Sequence, residues 1–146
     1  MVTKSEECWL IEQPPGDIRG DPKKIKLLLL KGLYGTKTAG NQWNIHIDGN
    51  FKKFGLIQSK IDRCLYYKFV DGGLLIVLLY VDDIMGFNTN SSAGKKAAAE
   101  FREFMTKTYK TKDLGEIKHA LGIVVSRDRK KCQLNISQAH YIQAFY

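Results

Sequence analysis

The run of residues 74–87, LLIVLLYVDDIMGF, restricts the possible folds of this chain more than any other segment. Its first eight residues are apolar or aromatic, which predicts a central β-strand covered on both faces. Asp82 and Asp83 then interrupt the run, and the apolar residues after them resume a short strand. Aspartate favours turns, so we expect a strand, a tight Asp-Asp turn and a second strand. Adjacent carboxylates repel each other and are costly to bury, so their position requires an explanation.

Two further patterns predict elements before this run. Residues 64–70, CLYYKFV, are strand-like, and the DGG that follows them is typical of a hairpin turn. Further upstream, apolar residues recur at spacings of four, four and three, which predicts one buried helix face. These residues are Trp43, Ile47, Phe51 and Phe54. Gly55 supplies a stop signal for that helix.

A second helix and a second hairpin are expected after the run. The helix extends from about Ser92 to Tyr109, with Ser91 or Ser92 as its N-cap. Its buried side is marked by Ala98, Phe101, Met105 and Tyr109. Over residues 117–125 the apolar period becomes two, which predicts one strand in which His119 is packed rather than a metal ligand. SRDRKK then forms a turn, and CQLNIS forms the return strand.

The order of helix, hairpin, helix and hairpin predicts an α+β domain with an antiparallel sheet and helices on one face. A length of 146 residues is enough for one compact domain. Residues 1–29 contain several prolines and glycines and are expected to be loop-rich. Residues 30–137 form the expected core, and residues 138–146 start a C-terminal helix.

Charge and cysteine content limit the partners and the compartment. The formal charge of +8 favours polyanionic partners such as nucleic acid. Cys8, Cys64 and Cys132 match neither a disulfide framework nor a zinc pattern, so we expect a reducing, intracellular environment. The start of the chain lacks a signal-peptide pattern, and no apolar run approaches the roughly 20 residues of a membrane span.

The two aspartates admit two interpretations at this stage. A hairpin anchored in the core would hold Asp82 and Asp83 in fixed positions beside a cleft, where their hard oxygen atoms suit Mg²⁺. Mg²⁺ held by carboxylates and substrate phosphates is the usual arrangement for nucleotidyl transfer. Asp-Asp is equally a common polar turn dipeptide.

The flanking residues add a family resemblance. YVDD, residues 80–83, after an apolar strand resembles the catalytic motif of reverse transcriptases. The order and spacing of other segments resemble the Ty1/copia group of long-terminal-repeat retrotransposons. These segments are EQPPG (12–16), LKGLYGTKTAGNQWN (30–44), DRCLYYK (62–68), KDLGEIKHALGIVVSRD (112–128) and ISQAHYI (136–142). The chain is therefore identified as a partial copia-type reverse transcriptase domain.

This resemblance implies the fold and the site residues. The fold would be the palm of a right-hand polymerase, with the fingers, the first catalytic strand and the thumb largely missing. Asp82 would be a catalytic ligand of Mg²⁺ or Mn²⁺, and Asp83 would support it. Residues implied in nucleotide or template binding are Tyr34, Gly35, Lys37, Tyr80 and Val81. Leu121 and Gly122 would contact the primer, and the basic residues of the following turn would contact phosphates.

The sequence also departs from the family pattern. Thr36, Thr38 and the Gly40-Asn41 pair replace residues that are usual in the nucleotide-contacting segment. The family has another catalytic aspartate just upstream of EQPPG, and Asp17 and Asp21 follow that landmark in a loop. We therefore expect this chain to be inactive alone.

The leading hypothesis is thus a segment of an RNA-directed DNA polymerase that acts on an RNA template, a DNA primer and deoxynucleotides. Its expected location is cytoplasmic, and particle-associated in the intact element. One alternative is a non-catalytic, basic nucleic-acid-binding module, and another is a degenerate relic. A metal-dependent phosphatase or nuclease would need a further cluster of carboxylates or histidines, which the sequence does not offer.

Overall fold

The computed structural model describes residues 9–30, 32–33 and 35–144, which form three helices and nine strands. In chain order they are β1 Trp9–Ile11, β2 Leu27–Leu29, α1 Ala39–Phe54, β3 Ile57–Gln58, β4 Leu65–Val70, β5 Gly73–Tyr80, β6 Asp83–Asn88, α2 Ser92–Thr108, β7 His119–Ala120, β8 Ile123–Asp128, β9 Gln133–Ser137 and α3 Ala139–Gln143. The predicted α+β class is confirmed, since every strand pair is antiparallel.

A four-stranded sheet of order β3-β4-β5-β6 forms the centre of the fold. The predicted hairpin joins β4 and β5, with Val70 paired to Gly73 at its closed end. Because side chains alternate along a strand, every second residue of β5 faces α1 and α2. The buried core comprises Ile47, Phe51, Leu56, Tyr66, Leu75, Val77, Leu79, Ala97, Ala98, Phe101 and Met105. Both helices therefore pack on one face of this sheet, as predicted.

The helix boundaries follow their predicted signals. Gly55 ends α1 in the left-handed region, with φ of 91°. Ser91 caps α2, because its hydroxyl accepts a hydrogen bond from the Gly94 amide at 3.1 Å. The two helices meet through aromatic rings, since Phe51 and Phe54 approach Phe101 at centroid distances of 5.6 and 5.3 Å.

The buried Tyr66 is the main polar group under α1. Its hydroxyl donates a hydrogen bond to a carboxylate oxygen of Asp48 at 3.1 Å and accepts one from the Gln58 amide, also at 3.1 Å. Burial raises the pKa of Tyr66 to about 12, and the Asp48 carboxylate adds to this rise. A fully buried phenol is tolerated here because both of its hydrogen-bonding roles are satisfied.

The prediction that β5 is covered on both faces is wrong. Leu75, Val77 and Leu79 are buried under the helices, whereas Leu74 and Ile76 on the other face are only half-buried. The apolar stripes of α1 and α2 join a single core, so both helices lie on the same side. On the opposite face, Phe69 is 72% and Tyr80 54% exposed, so solvent reaches that side of the sheet.

The prediction of a single sheet is also wrong, because the described strands form three separate sheets. Residues 12–26 are irregular as expected, but β1 and β2 at their two ends pair in a small sheet. The Gln13 side chain closes the intervening loop by donating to the Ile25 carbonyl at 3.0 Å. A third sheet contains β7, β8 and β9.

The single strand predicted for residues 117–125 is in fact two. β7 and β8 are joined by a two-residue turn in which Leu121 and Gly122 have φ of 54° and 75°. His119 pairs with Val124 and Ala120 with Ile123, and paired residues lie on the same face of a sheet, so the period of two does not continue through this turn. His119 is exposed, and the prediction that it is packed is therefore wrong.

The ends and the cysteines add little to the core. α3 lies where the C-terminal helix was expected, and all of its residues are exposed. Cys64 and Cys132 are exposed and form no disulfide, whereas Cys8 lies outside the described residues.

Candidate active site

The β5–β6 hairpin presents the two aspartates at its tip. Tyr80 and Asp83 form the last residue pair of the ladder, so Val81 and Asp82 make the turn. The predicted strand–turn–strand is confirmed, but the turn is Val-Asp rather than Asp-Asp, since Asp83 begins β6. A positive φ at the first turn residue only is typical of a type II′ hairpin turn.

Val81 adopts an unusual backbone conformation in this turn. Its φ is 52°, in the left-handed region that a β-branched residue rarely adopts. Type II′ turns prefer glycine at this position, because the Cβ of other residues crowds the backbone there. The valine side chain is also 59% exposed, so packing does not explain its presence.

Both carboxylates at the tip are available to a ligand. Asp82 and Asp83 are exposed, and neither makes a hydrogen bond or an ion pair with the described residues. They are held by a strand pair whose inner members, Leu75, Val77 and Leu79, belong to the core. The position of the turn is therefore fixed by the core although its side chains are free.

A cleft of about 830 Å³ extends from the two aspartates along β6. One wall is formed by β6 and α2, including Phe101 and Met105, and the other wall by residues 111–120. Arg102 of α2 faces Asp113 across it, with a nitrogen–oxygen distance of 3.8 Å. The outer edge of β6 has no partner strand among the described residues.

Trp43 reaches the turn from α1. Its indole Nε1–H donates a hydrogen bond to the carbonyl oxygen of Val81 at 3.0 Å. The sequence predicted Trp43 as a core residue only, and the structure shows it half-buried and packed at the edge of the core. The signal that could have revealed this contact is chemical, because a buried indole N–H generally requires an acceptor.

The residues implied in nucleotide binding are only partly brought to this site. Tyr34 lies outside the described residues. Gly35, with φ of 90°, and Lys37 are exposed just before α1, at the end of the helix from which Trp43 contacts the turn. Tyr80 is 54% exposed on the sheet face opposite the helices.

The residues implied in primer binding follow directly after the far wall of the cleft. His119 and Ala120 line the cleft together with Asp82 and Asp83, and Leu121 and Gly122 continue from them at the β7–β8 turn. Leu121 is 45% exposed despite its strained conformation.

The basic residues expected to contact phosphates lie in and beside the β8–β9 turn. Arg127, Lys130 and Lys131 are exposed, and their side chains form no ion pair with described residues. Arg129 instead pairs with Glu116 at 3.2 Å.

The carboxylates of the site form a pair, not a larger cluster. Within residues 9–30, 32–33 and 35–144, no group of three or more His, Cys, Asp or Glu could hold a metal ion. Asp17 and Asp21 lie in the loop between β1 and β2, where they pair with Arg19 and Lys24. Asp82 and Asp83 thus offer the right donor chemistry for Mg²⁺ but leave room for further ligands.

In the described part of the chain, no helix is both long and apolar enough to span a bilayer.

Residues 2–145 match the family described as reverse transcriptase (RNA-dependent DNA polymerase). The match extends over nearly the whole chain and includes the hairpin that presents Asp82 and Asp83. The chain therefore belongs to the reverse transcriptase family.

Curated relatives are transposon proteins. The chain is 33% identical over 139 residues to the retrovirus-related Pol polyprotein from transposon TNT 1-94 of Nicotiana tabacum, a match that covers 94% of this chain and 10% of that protein. It is 30% identical over 118 residues to the putative transposon Ty5-1 protein of Saccharomyces cerevisiae, covering 81% of this chain and 37% of the relative. The copia-type resemblance is thereby confirmed.

The chain spans only a small part of these relatives' length, from about a tenth to little more than a third. No solved structure shows a significant match to it.

Proposed function

We propose that this chain is the palm segment of an RNA-directed DNA polymerase and binds divalent metal through Asp82 and Asp83. The observation that supports this most directly is the pair of exposed, unpartnered carboxylates on a hairpin anchored in the core. A plain polar turn needs neither a strained valine before its aspartates nor an adjoining cleft. Strained backbone is commonly retained at functional sites.

Asp82 and Asp83 would hold Mg²⁺ or Mn²⁺ through carboxylate oxygens, and the metal would stabilise the charge that develops on phosphate oxygens during nucleotidyl transfer. The chain's own contribution is positional. The β5–β6 hairpin fixes the two carboxylates next to the cleft, and the exposed edge of β6 leaves room for a further strand. We propose that polymerisation requires an additional carboxylate from such a strand, so this chain alone binds metal without extending a primer.

RNA template and DNA primer would approach the same edge of the molecule. Lys37 precedes α1 at the end nearest the turn, and Leu121 follows the cleft wall that faces the aspartates. Lys130 and Lys131 of the β8–β9 turn have no acidic partner among described residues, so they remain available to phosphates. An intracellular location stays a prediction from the cysteines.

A second candidate function is nucleic-acid binding without chemistry, which the formal charge of +8 and these unpaired lysines favour. In that case the affinity for RNA or DNA would fall steeply with salt and would not depend on the aspartates. Replacing Asp82 by Asn would leave this affinity unchanged or improve it, since a negative charge near phosphate is removed.

The experiment that tests the metal site is a Mn²⁺ titration of the ¹⁵N-labelled chain followed by NMR. Paramagnetic broadening should start at the amides of Asp82 and Asp83, and Asp82→Asn should weaken it strongly. Asp71→Asn is the matched control, because Asp71 is an exposed aspartate in the β4–β5 turn, at the end of β5 away from Asp82. Equal broadening near Asp71, or no effect of Asp82→Asn, would contradict the proposed metal site.

A further inference from the structure

The indole of Trp43 contacts the turn at its one strained residue. Its N–H donates to the carbonyl oxygen of Val81 at 3.0 Å, across 38 positions of sequence. In a two-residue hairpin turn this carbonyl belongs to the peptide that joins the two turn residues and is not part of the strand ladder. Instead, the Val81 carbonyl oxygen accepts the hydrogen bond from Trp43.

The orientation of that peptide determines where Asp82 points. The plane between Val81 and Asp82 contains both the Val81 carbonyl and the Asp82 amide, because the peptide unit is planar. A flip of this plane would change ψ of Val81 and φ of Asp82 together, and so would redirect the Asp82 side chain. With φ of 52°, Val81 is not in a conformation that its own sterics favour.

Trp43 is itself held by a second contact, with the end of α2. Its ring packs edge-on against Tyr109, with centroids 5.5 Å apart. The Tyr109 hydroxyl accepts a hydrogen bond from the buried Asn50 at 2.9 Å, and the same Asn50 amide donates to the His46 carbonyl at 3.0 Å. Burial raises the pKa of Tyr109 above its ordinary value. The indole thus contacts both the end of α2 and the turn.

We propose that Trp43 is a positioning residue: its indole N–H fixes the Val81–Asp82 peptide and thereby orients the Asp82 carboxylate for metal binding. This inference rests on the proposed metal-binding function of the turn. Trp43 itself has no atom that would contact the metal, so its effect is exerted through the Val81 carbonyl.

The test compares wild type with Trp43→Phe, which removes the donor and keeps an aromatic ring. Phe104→Leu serves as the matched control, because Phe104 packs on the same core at the α1–α2 contact and does not reach the turn. We expect Trp43→Phe to shift the Asp82 amide resonance and to raise the apparent Mn²⁺ dissociation constant roughly tenfold, as for other residues that orient a metal ligand. Phe104→Leu should lower the melting temperature without either effect.

A second replacement keeps the test valid if Trp43→Phe does not fold. In a Trp9→Phe background, benzothienylalanine at position 43 replaces the indole N–H by sulfur and preserves the shape of the ring system. It should reproduce both effects with little change in melting temperature.

The outcomes separate this inference from the proposed function. If the donor-free variants leave the Asp82 amide and the Mn²⁺ affinity as in wild type, or change them no more than Phe104→Leu does, the positioning role is wrong. If wild type itself does not bind Mn²⁺, the metal function fails. The Asp82 amide shift then decides alone whether Trp43 fixes the peptide.

Discussion

Tyr80 and Asp83 face each other as the last pair of the β5–β6 ladder. Because the turn between them has only two residues, a one-residue change in register would move Asp83 to the other face of the sheet. The register is fixed by β5, whose alternate residues are in the core. The positions of the aspartates therefore depend on the packing of Leu75, Val77 and Leu79, which lie three to eight residues before them in the chain.

Val81→Gly should stabilise the fold. Glycine adopts φ of 52° without the steric cost that valine has there. That steric cost is about 1–2 kcal/mol, and it exceeds the entropic cost of the extra flexibility that glycine gives the unfolded chain. We expect the free energy of unfolding to rise by about 0.5–1 kcal/mol, measured by urea denaturation. The control Val70→Gly, in a regular strand, should destabilise, and a similar loss at Val81 would show that the valine side chain is needed for packing.

Gly94→Ala should destabilise the junction between α2 and the central sheet. A Cβ at Gly94 would lie 2.6 Å from the Thr89 carbonyl oxygen and 3.2 Å from the Ser91 hydroxyl that caps the helix. Backbone must move to relieve this overlap, so we expect a loss of about 2 kcal/mol in the free energy of unfolding.

Gly49→Ala is the matched control for this change. Gly49 is also inside a helix, but a Cβ there would have no neighbour within 4 Å. Alanine should raise stability by about 0.5–1 kcal/mol through its helix propensity. Equal effects of the two substitutions in thermal or urea unfolding would contradict the close approach at Gly94.

Tyr66 should make stability depend on alkaline pH. Its pKa is raised to about 12 in the folded protein, against roughly 10 in an unfolded chain. Between these two values the folded state retains the proton that the unfolded state loses. The contribution of protonated Tyr66 to the free energy of unfolding is therefore complete below pH of about 10 and is lost as the pH rises towards 12. The difference in unfolding free energy between wild type and Tyr66→Phe should shrink over that interval by on the order of 2 kcal/mol.

The measurement is urea unfolding of both proteins at several pH values, with tyrosinate absorbance to follow ionisation. Tyr67→Phe is the control, because Tyr67 lies on the opposite face of β4, where no described helix covers it. A constant difference between wild type and Tyr66→Phe would mean that Tyr66 titrates normally.

Replacing Lys130 and Lys131 by Gln should weaken RNA–DNA duplex binding uniformly across sequences. Each lysine that neutralises a phosphate contributes about 0.7–0.9 to the slope of log affinity against log salt, so the double variant should lower that slope by up to about 1.5. This slope is measured by fluorescence anisotropy at a series of salt concentrations. Lys53→Gln and Lys95→Gln, on exposed helix positions, should change it little, and an unchanged slope in the hairpin variant would exclude the hairpin from the interface.

The sequence by itself determined the α+β class, the positions of both long helices, the β4–β5 and β5–β6 hairpins and the family. These features depend on local information: the spacing of Phe51 and Phe54, the Asp-Gly turn, the glycine after α1 and the YVDD motif. Local patterns specify elements and chain-order motifs because the responsible residues are only a few positions apart.

Tertiary structure alone decided how these elements are used. Which face of β5 is covered depends on both helices packing into one core, and the Trp43–Val81 hydrogen bond joins residues 38 positions apart. The pairing of β1 with β2 and the division of residues 117–125 into two strands likewise depend on contacts that no periodicity encodes. Such contacts form only when the burial of distant apolar residues brings their polar groups together, so a single sequence does not reveal them.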